Sequence, residues 1–302
     1  MLQTVLGPLN PNEVGVIYSH EHLIARPPAP FDAETDLIVD SIPAASRELE
    51  LFKQCGGGTL VDATPVDYGR NLAALVELSR ATGINVIAST GRHKAIYAER
   101  YSPNVTVDEL ADEFVTELTR GVSGIRPGII KVATSESRVA AIERVVLVAA
   151  GRASALTGVA VTTHMEAGRL GPEQVSVLRE GGVDPSKVIV GHADRVIDAD
   201  YHESILRQGV YLEFDQIGHL KHFPDEARAK AIVELWRRGY GARLCLSSDL
   251  GRRSHQRSYG GSPGLGHVLE SFIPELIRHG LSPDEALSMV TTNPCRVLDI
   301  QS

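Results

Sequence analysis

Eight short apolar segments recur along the chain, each followed by a stretch of different periodicity. The segments read VGVIYS (14–19), TLVDAT (59–64), NVIAST (85–90), GIIKVATS (128–135), VAVTTH (159–164), KVIVGH (187–192), VYLEFD (210–215) and RLCLSSD (243–249). Most carry apolar residues at consecutive rather than alternate positions, which is typical of parallel strands covered on both faces. The pattern therefore predicts eight parallel β-strands.

The stretches between these segments have helical periodicity, with apolar residues three and four positions apart and charged residues opposite. The predicted helices cover residues 44–54, 71–81, 107–121, 140–153, 172–182, 200–209 and 224–239. Eight strands that alternate with helices within 302 residues predict an α/β protein with a (β/α)8 TIM barrel. We expect this barrel to form a single domain over residues 1–302. An open doubly wound sheet also alternates, but a dinucleotide-binding sheet would carry a glycine fingerprint after its first strand, and SHEHLIARPP has none.

Two segments lie outside this alternation, one at each end of the chain. Residues 2–15 contain the turn-rich sequence LGPLNPNEVG, which predicts a short hairpin capping the bottom of the barrel. The tail from Gly266 onward predicts two closing helices, and Ser282 with Glu285 forms an S-x-x-E capping box for the second.

Composition narrows the class of protein. A formal net charge of -8 argues against a protein that binds nucleic acid or membrane surfaces through charge. No apolar run approaches the ~20 residues that span a bilayer, and the first residues do not resemble a signal peptide. The three cysteines are scattered and odd in number, which favours reduced thiols. We expect a cytoplasmic protein.

Several polar residues lie within or at the ends of the predicted strands, where barrel enzymes place their active sites. They are His20, His22, Lys131, His164, His192 and Asp249. In a regular strand His20 and His22 point the same way and Glu21 points away, so the imidazoles form half of a metal site and Glu21 has a structural role. Singly, each histidine could satisfy ordinary hydrogen bonds and Asp249 could cap a turn. Together they predict a metal centre.

Lys131 is unusual among these residues because it lies within an otherwise apolar strand. Burial of an ammonium group without a partner costs several kcal/mol. A lysine that has reacted with carbon dioxide is instead a carbamate, whose two oxygens can bridge two cations. The position of Lys131 is therefore consistent with a modified, metal-bridging lysine.

The chain resembles the phosphotriesterase family of the amidohydrolase superfamily over nearly its whole length. The matching segments are TVLGPLNPNEVGVIYSHEHL, GIIKVATS, VTTHMEAG, VIVGHADR, LSSDLGRR and TTNPCRVL. The resemblance implies two divalent metal ions, zinc or alternatively manganese or cobalt. It implies that His20, His22 and Asp249 bind the more buried ion and that His164 and His192 bind the more exposed one. An N6-carboxylated Lys131 and a hydroxide then bridge them, Asp249 is the catalytic proton acceptor, and the enzyme is a homodimer.

Cationic and aromatic residues in the loops bear on the substrate. The expected substrate-binding residues are Arg92, Tyr97, Arg252, Arg253 and His255. Any one arginine could instead be solvated or paired, but as a group they favour an anionic small-molecule substrate, because guanidinium groups bind oxyanions through paired hydrogen bonds. We expect hydrolysis of a small anionic lactone or carboxylic ester. The alternatives are a phosphotriesterase acting on aryl dialkyl phosphates and a non-catalytic metal- or ligand-binding barrel.

Overall fold

Eight parallel strands form a nearly closed barrel in the computed structural model, which describes residues 1–300. An antiparallel hairpin of β1 (Leu2–Thr4) and β2 (Gly7–Leu9) precedes them. The barrel strands are β3 (Val16–Glu21), β4 (Gly57–Asp62), β5 (Asn85–Gly91), β6 (Ile129–Thr134), β7 (Val161–Met165), β8 (Val188–Val190), β9 (Tyr211–Phe214) and β10 (Leu244–Leu246). Each strand pairs with the next in chain order. The predicted (β/α)8 barrel with an N-terminal hairpin is confirmed.

Helices connect the strands and cover the outside of the barrel. They are α1 (Ile42–Gln54), α2 (Leu72–Thr82), α3 (Ala95–Tyr101), α4 (Val107–Arg120), α5 (Ala141–Thr157), α6 (Gly171–Glu180), α7 (Ala199–Leu206), α8 (Asp225–Leu235), α9 (Ile273–Arg278), α10 (Pro283–Ser288) and α11 (Thr292–Leu298). Helix α3 lies in a segment expected to be loop, and the tail forms three helices rather than two. The capping box of Ser282 and Glu285 is present at α10. Over residues 1–300, every helix is too short or too polar to cross a bilayer.

The interior of the barrel changes from apolar to polar along its axis. At the end covered by the hairpin, Ile17, Val61, Ile129 and Ile189 form a buried apolar cluster that includes Leu2 of the hairpin. Higher up, the buried interior includes Ser19, Lys131 and Glu213. The hairpin therefore seals an apolar end, and polar groups accumulate toward the end where barrel enzymes place their chemistry.

The tail of the chain supports the seam between β3 and β10. The amide of Ile17 donates to the carbonyl of Val290 at 2.7 Å, and the amide of Leu246 donates to that of Met289 at 3.2 Å. Near the mouth, the amide of Asp249 donates directly to the carbonyl of His20 at 3.2 Å. Because buried backbone groups need partners, the tail completes the barrel where β3 and β10 do not form a ladder.

Candidate metal centre

The end of β3 departs from regular strand alternation. Ser19 Oγ donates to Glu213 Oε1, while the ring Nε2 of the next residue, His20, lies 2.6 Å from Lys131 Nζ. The pairing of β3 with β4 shifts register between Tyr18 and Glu21. Two consecutive side chains therefore contact the barrel interior, as a β-bulge allows.

Glu21 holds the loop that carries Asp249. Its carboxylate accepts hydrogen bonds from the amides of Ser248 at 2.6 Å and Leu250 at 3.0 Å, on either side of Asp249. Asp249 itself has a left-handed backbone, with φ of 47°. This conformation is unfavourable for a residue other than glycine, and flanking bonds of this kind stabilise it. Glu21 therefore fixes the backbone that positions Asp249.

Asp249 lies beside His22, which directly follows β3. Its Oδ1 is 3.2 Å from His22 Nε2, and its Oδ2 accepts a hydrogen bond from Gln216 Nε2 at 2.6 Å. The other ring nitrogen of His22, Nδ1, contacts Thr64 Oγ1 at 2.7 Å. Burial alone would raise the pKa of Asp249, but the hydrogen bond from His22 and the neighbouring imidazoles hold it well below its usual value. Asp249 is therefore a carboxylate facing an imidazole.

His164 and His192 form a second pair of closely approaching imidazoles. His164 Nδ1 lies 2.7 Å from His192 Nε2. The far nitrogens are already bonded to carboxylates: His192 Nδ1 to Asp215 Oδ1 and His164 Nε2 to Glu166 Oε2, both at 2.7 Å. If these far nitrogens carry the protons, both facing nitrogens present lone pairs, which repel unless a proton is shared between them or both bind one metal ion. The donor set therefore fits a metal ion.

Asp215 connects the two histidine groups. Its Oδ2 lies 2.8 Å from His20 Nδ1, while its Oδ1 contacts His192. An N–H donated from Nδ1 to this carboxylate leaves Nε2 of each ring free to bind a metal. Since Asp215 is fully buried, it can orient both rings without competition from water.

Lys131 lies buried among these groups. Burial lowers the pKa of its ammonium to about 8, although the nearby carboxylates of Asp249 and Asp215 oppose this effect. The neutral amine is consequently accessible near neutral pH, and this is the form of a lysine that reacts with carbon dioxide. The site thus combines carboxylates and imidazoles, as well as an amine suited to modification.

A cavity of about 720 Å³ opens over this cluster, and His22, His164 and Asp249 form part of its wall. Three of the expected substrate-binding residues line it: Tyr97, Arg252 and His255. Six other cationic or imidazole side chains line it that were not among the expected substrate-binding residues, namely His93, Lys94, Arg195, His219, Lys221 and His222.

Arg92 and Arg253 do not line this cavity, so the expectation that they contact substrate is corrected. Arg92 is buried, and its Nη2 donates to both oxygens of Glu113 on α4, at 2.9 and 2.7 Å. Arg253 donates through Nε to the carbonyl of Ile38 and stacks on Tyr259. Both guanidinium groups are occupied by partners distant in sequence.

Sequence reasoning also missed Asp215 and Gln216. Asp215 ends the seventh predicted strand, and Gln216 follows it. The signal was present, because a carboxylate at that position lies at the same rim as the predicted ligands.

Comparisons with known proteins are consistent over the full length of the chain. A sequence profile of the Phosphotriesterase family matches residues 1–298. A phosphotriesterase homology protein of Escherichia coli (strain K12) is 34% identical over 93% of this chain and 96% of its own. A phospho-furanose lactonase of Mycoplasmopsis synoviae is 30% identical over 98% and 91%, respectively. The crystal structure of a lactonase from Listeria monocytogenes superposes with a TM-score of 0.94 at 27% identity, covering 100% of this chain and 99% of that one.

Proposed function

We propose that this chain, which belongs to the phosphotriesterase family, is a binuclear metal-dependent hydrolase that opens small anionic lactones or carboxylic esters. Its relatives include proteins named phospho-furanose lactonase and lactonase, which supports hydrolysis of ester bonds and of lactones in particular. The two-metal site and the negative charge of the substrate are proposed from the residues of this chain.

The convergence of imidazole nitrogens is the observation that carries the proposal. His20, His22 and Asp249 would hold one divalent ion, and His164 and His192 the other. The contacts to Asp215, Glu166 and Thr64 leave one nitrogen of each ring directed inward. Lys131, as its N6-carboxylated form, would bridge the two ions. Imidazole and carboxylate ligands suit zinc, and also manganese or cobalt.

Two bound divalent ions would polarise the ester carbonyl and lower the pKa of water enough for attack near neutral pH. Asp249 would accept the proton of the attacking water at Oδ1 and return it to the leaving oxygen. Gln216 holds Oδ2 at 2.6 Å, which fixes the plane of the carboxylate. Because an amide nitrogen cannot accept a proton, Gln216 orients Asp249 and does not relay its proton.

The charges around the cavity support an anionic substrate. Four cationic side chains line it: Lys94, Arg195, Lys221 and Arg252. Only Glu34 and Glu166 add carboxylates to the lining besides Asp249. This excess of positive charge occurs in a chain of net charge -8, so it is a local feature of the cavity. Cations in a concave site raise the local concentration of anions.

Two further proposals are a homodimer, which rests on the family resemblance, and a cytoplasmic location, which rests on the scattered, odd-numbered cysteines. Light scattering on the metal-loaded protein tests the first: a mass twice that of the 32.5 kDa chain is expected. A monomer at micromolar concentration would contradict it.

Metal removal and restoration tests the proposed function. Protein stripped by a chelator should lose activity on a lactone panel and regain it with zinc, manganese or cobalt supplied together with bicarbonate. A Lys131→Ala variant should not recover. Failure of the wild-type protein to regain any lactonase or esterase activity would falsify the proposal. An aryl dialkyl phosphate assayed in parallel tests the phosphotriesterase alternative, and native metal content below one ion per chain would favour the non-catalytic barrel.

A further inference from the structure

The segment between β9 and α8 forms one wall of the cavity and has little structure of its own. Six of its residues line the cavity: Gln216, Gly218, His219, Leu220, Lys221 and His222. Residues 220–222 are exposed, and within residues 1–300 their backbone forms no hydrogen bond to other backbone groups. The position of this wall, residues 216–222, therefore depends on contacts on either side of the exposed stretch.

Arg228, near the start of α8, makes those contacts. Its side chain is fully buried and does not line the cavity. Nη2 donates to the carbonyl of His219 at 2.8 Å, and Nη1 donates to the carbonyl of Phe223 at 2.6 Å. These two carbonyls lie immediately before and after residues 220–222. One planar guanidinium group thus fixes both ends of the exposed stretch, through hydrogen bonds that its charge strengthens.

Asp194 connects this guanidinium group to the metal-ligand side of the cavity. Arg228 Nε donates to Asp194 Oδ2 at 2.9 Å, and the amide of Gln216 donates to the same oxygen at 2.8 Å. Asp194 lies in the turn Ala193–Arg195, directly after His192. The wall is therefore joined to the turn beside His192 through one buried ion pair.

The ion pair of Arg228 and Asp194 contributes geometry rather than net stability. Both side chains are fully buried. Removal of two charges from water costs about as much as their attraction returns, and apolar side chains of similar volume often stabilise a fold equally well. Apolar side chains, however, would leave the carbonyls of His219 and Phe223 without these directional donors. The pair thus specifies where the wall lies.

We propose that Arg228 is a positioning residue for substrate binding, which holds the wall 216–222 in place from behind the cavity. This inference rests on the proposed lactonase function. A wall that is already in place saves the entropic cost of ordering it when substrate binds. Loss of these contacts should therefore raise KM. The value of kcat should change little, because Gln216 keeps its bond to Asp194 and still orients Asp249.

Arg228→Lys tests this role. Lysine keeps the positive charge beside Asp194, but its ammonium group does not reproduce the planar set of N–H groups that binds two carbonyls. We suggest metal-loaded protein with a phosphorylated furanose lactone as substrate. KM should rise at least about tenfold, and kcat should stay within about twofold of wild type. A wild-type KM, with activity lost only through kcat or through the fraction of folded protein, would overturn the inference.

Asp225→Ala is a second variant, which decides the matter if Arg228→Lys does not fold. Asp225 Oδ1 accepts hydrogen bonds from the amide of Gly218 and from Arg228 Nη1, both at 2.9 Å. Its removal leaves the pair of Arg228 and Asp194 intact and frees only one point of the wall. KM should rise about three- to tenfold with kcat unchanged. A wild-type KM in a folded Asp225→Ala protein would then overturn the inference.

Arg70→Lys is the matched control. Arg70 is likewise a largely buried arginine that donates to a backbone carbonyl, that of Ser89 at 2.8 Å, and pairs with a carboxylate, that of Glu117. It is not among the residues that line the cavity. This variant should lose stability and keep the KM of the wild-type protein. An equal rise of KM in Arg70→Lys and Arg228→Lys would overturn the inference.

Limited proteolysis distinguishes failure of this inference from failure of the proposed function. Lys221 is a trypsin site in the middle of the exposed stretch. Cleavage after Lys221, relative to cleavage at other sites, should be at least about tenfold faster in Arg228→Lys than in wild type or Arg70→Lys, because cleavage follows local opening. This result supports the inference even if no lactone is hydrolysed. Equal relative cleavage in all three proteins would overturn it, whatever the lactonase assays give.

Discussion

Asp215 contacts a histidine from each half of the candidate site. It contacts His20 at 2.8 Å and hydrogen-bonds to His192, and these two residues belong to the ligand groups proposed for different ions. Burial alone would raise the pKa of Asp215, but the two imidazoles hold it well below its usual value, so it stays ionised. An ionised carboxylate behind a ligand raises the basicity of the imidazole and fixes its tautomer. One residue is therefore placed to tune both proposed metal positions.

Replacement of Asp215 by asparagine should weaken metal binding at both positions. An amide can still accept one N–H, but it carries no charge and offers one oxygen for two rings. We expect a loss of about 10- to 100-fold in metal affinity and activity. Titration of apoprotein with zinc, followed by elemental analysis, measures the affinity and the number of ions bound.

Glu48→Gln is the control for Asp215→Asn. Glu48 is also a buried carboxylate, but it accepts hydrogen bonds only from the backbone amides of Ser258 and Leu265. The Glu48→Gln variant should bind zinc as the wild-type protein does. Full zinc occupancy with wild-type affinity in Asp215→Asn would show that the carboxylate does not tune the ligands.

Some of the site residues could be identified from the sequence and others could not. His20, His164 and Asp249 were identifiable because each closes an apolar strand, and strand ends share one rim. Arg92 was misjudged because its partner, Glu113, lies on the next long helix, and such a pairing depends on tertiary packing. The sequence alone does not show whether a charged loop residue faces the cavity or pairs with a neighbouring helix.

At the scale of elements, the strands follow directly from the sequence and their irregularities do not. All eight predicted strands are present, since continuous apolar runs are distinctive of buried parallel strands. The bulge at Ser19 and His20 was not foreseen, because a register shift depends on the partner strand. Helix α3 was missed because KAIYAERY is short and intersperses apolar with charged residues. Tertiary contacts therefore decide its structure.

Helices α2 and α4 are joined by a largely buried ion pair that makes stability depend on pH. Arg70, just before α2, binds Glu117 of α4 through two hydrogen bonds, at 2.6 and 2.9 Å. Burial alone would raise the pKa of Glu117, but Arg70 lowers it below its usual 4.5. An acid with a lowered pKa in the folded state stabilises the fold above its ordinary pKa and loses that contribution as pH falls.

Glu117→Gln should therefore lower the free energy of unfolding by about 3 kcal/mol at pH 7. The difference from wild type should narrow as pH falls through and below 4.5, where the wild-type carboxylate also becomes protonated. Urea unfolding of both apoproteins at several pH values measures this difference in unfolding free energy. The exposed pair of Glu226 and Lys230 supplies a control, since Glu226→Gln should have no measurable effect. A difference that stays constant with pH would contradict the assignment.

The whole molecule depends on its tail to complete the barrel. Asn293 of α11 is buried and donates from Nδ2 to the carbonyls of Gly241 at 2.9 Å and Leu244 at 2.8 Å, at the start of β10. The sequence indicated closing helices but not their role, because the unpaired carbonyls they satisfy belong to a distant part of the chain.

Asn293→Ala should lower the free energy of unfolding by about 2 kcal/mol, since two buried carbonyls lose their donor. Activity of the folded protein at low temperature should not change, because Asn293 is not among the residues that line the cavity. Denaturant unfolding measures the loss, with Thr291→Ala as a neighbouring control whose exposed hydroxyl bonds only within the local turn. Wild-type stability of Asn293→Ala would show that the tail is not needed for closure.

The central claim is that one mouth of this barrel holds two metal ions around a modified lysine. Its most direct test is a crystal structure of the metal-loaded protein with anomalous diffraction data collected at the absorption edge of the metal. We predict two anomalous peaks, one contacted by His20, His22 and Asp249 and the other by His164 and His192, with density for a carboxylated Lys131 between them. A single peak, peaks away from these residues, or an unmodified Lys131 beside fully occupied metal sites would contradict the account.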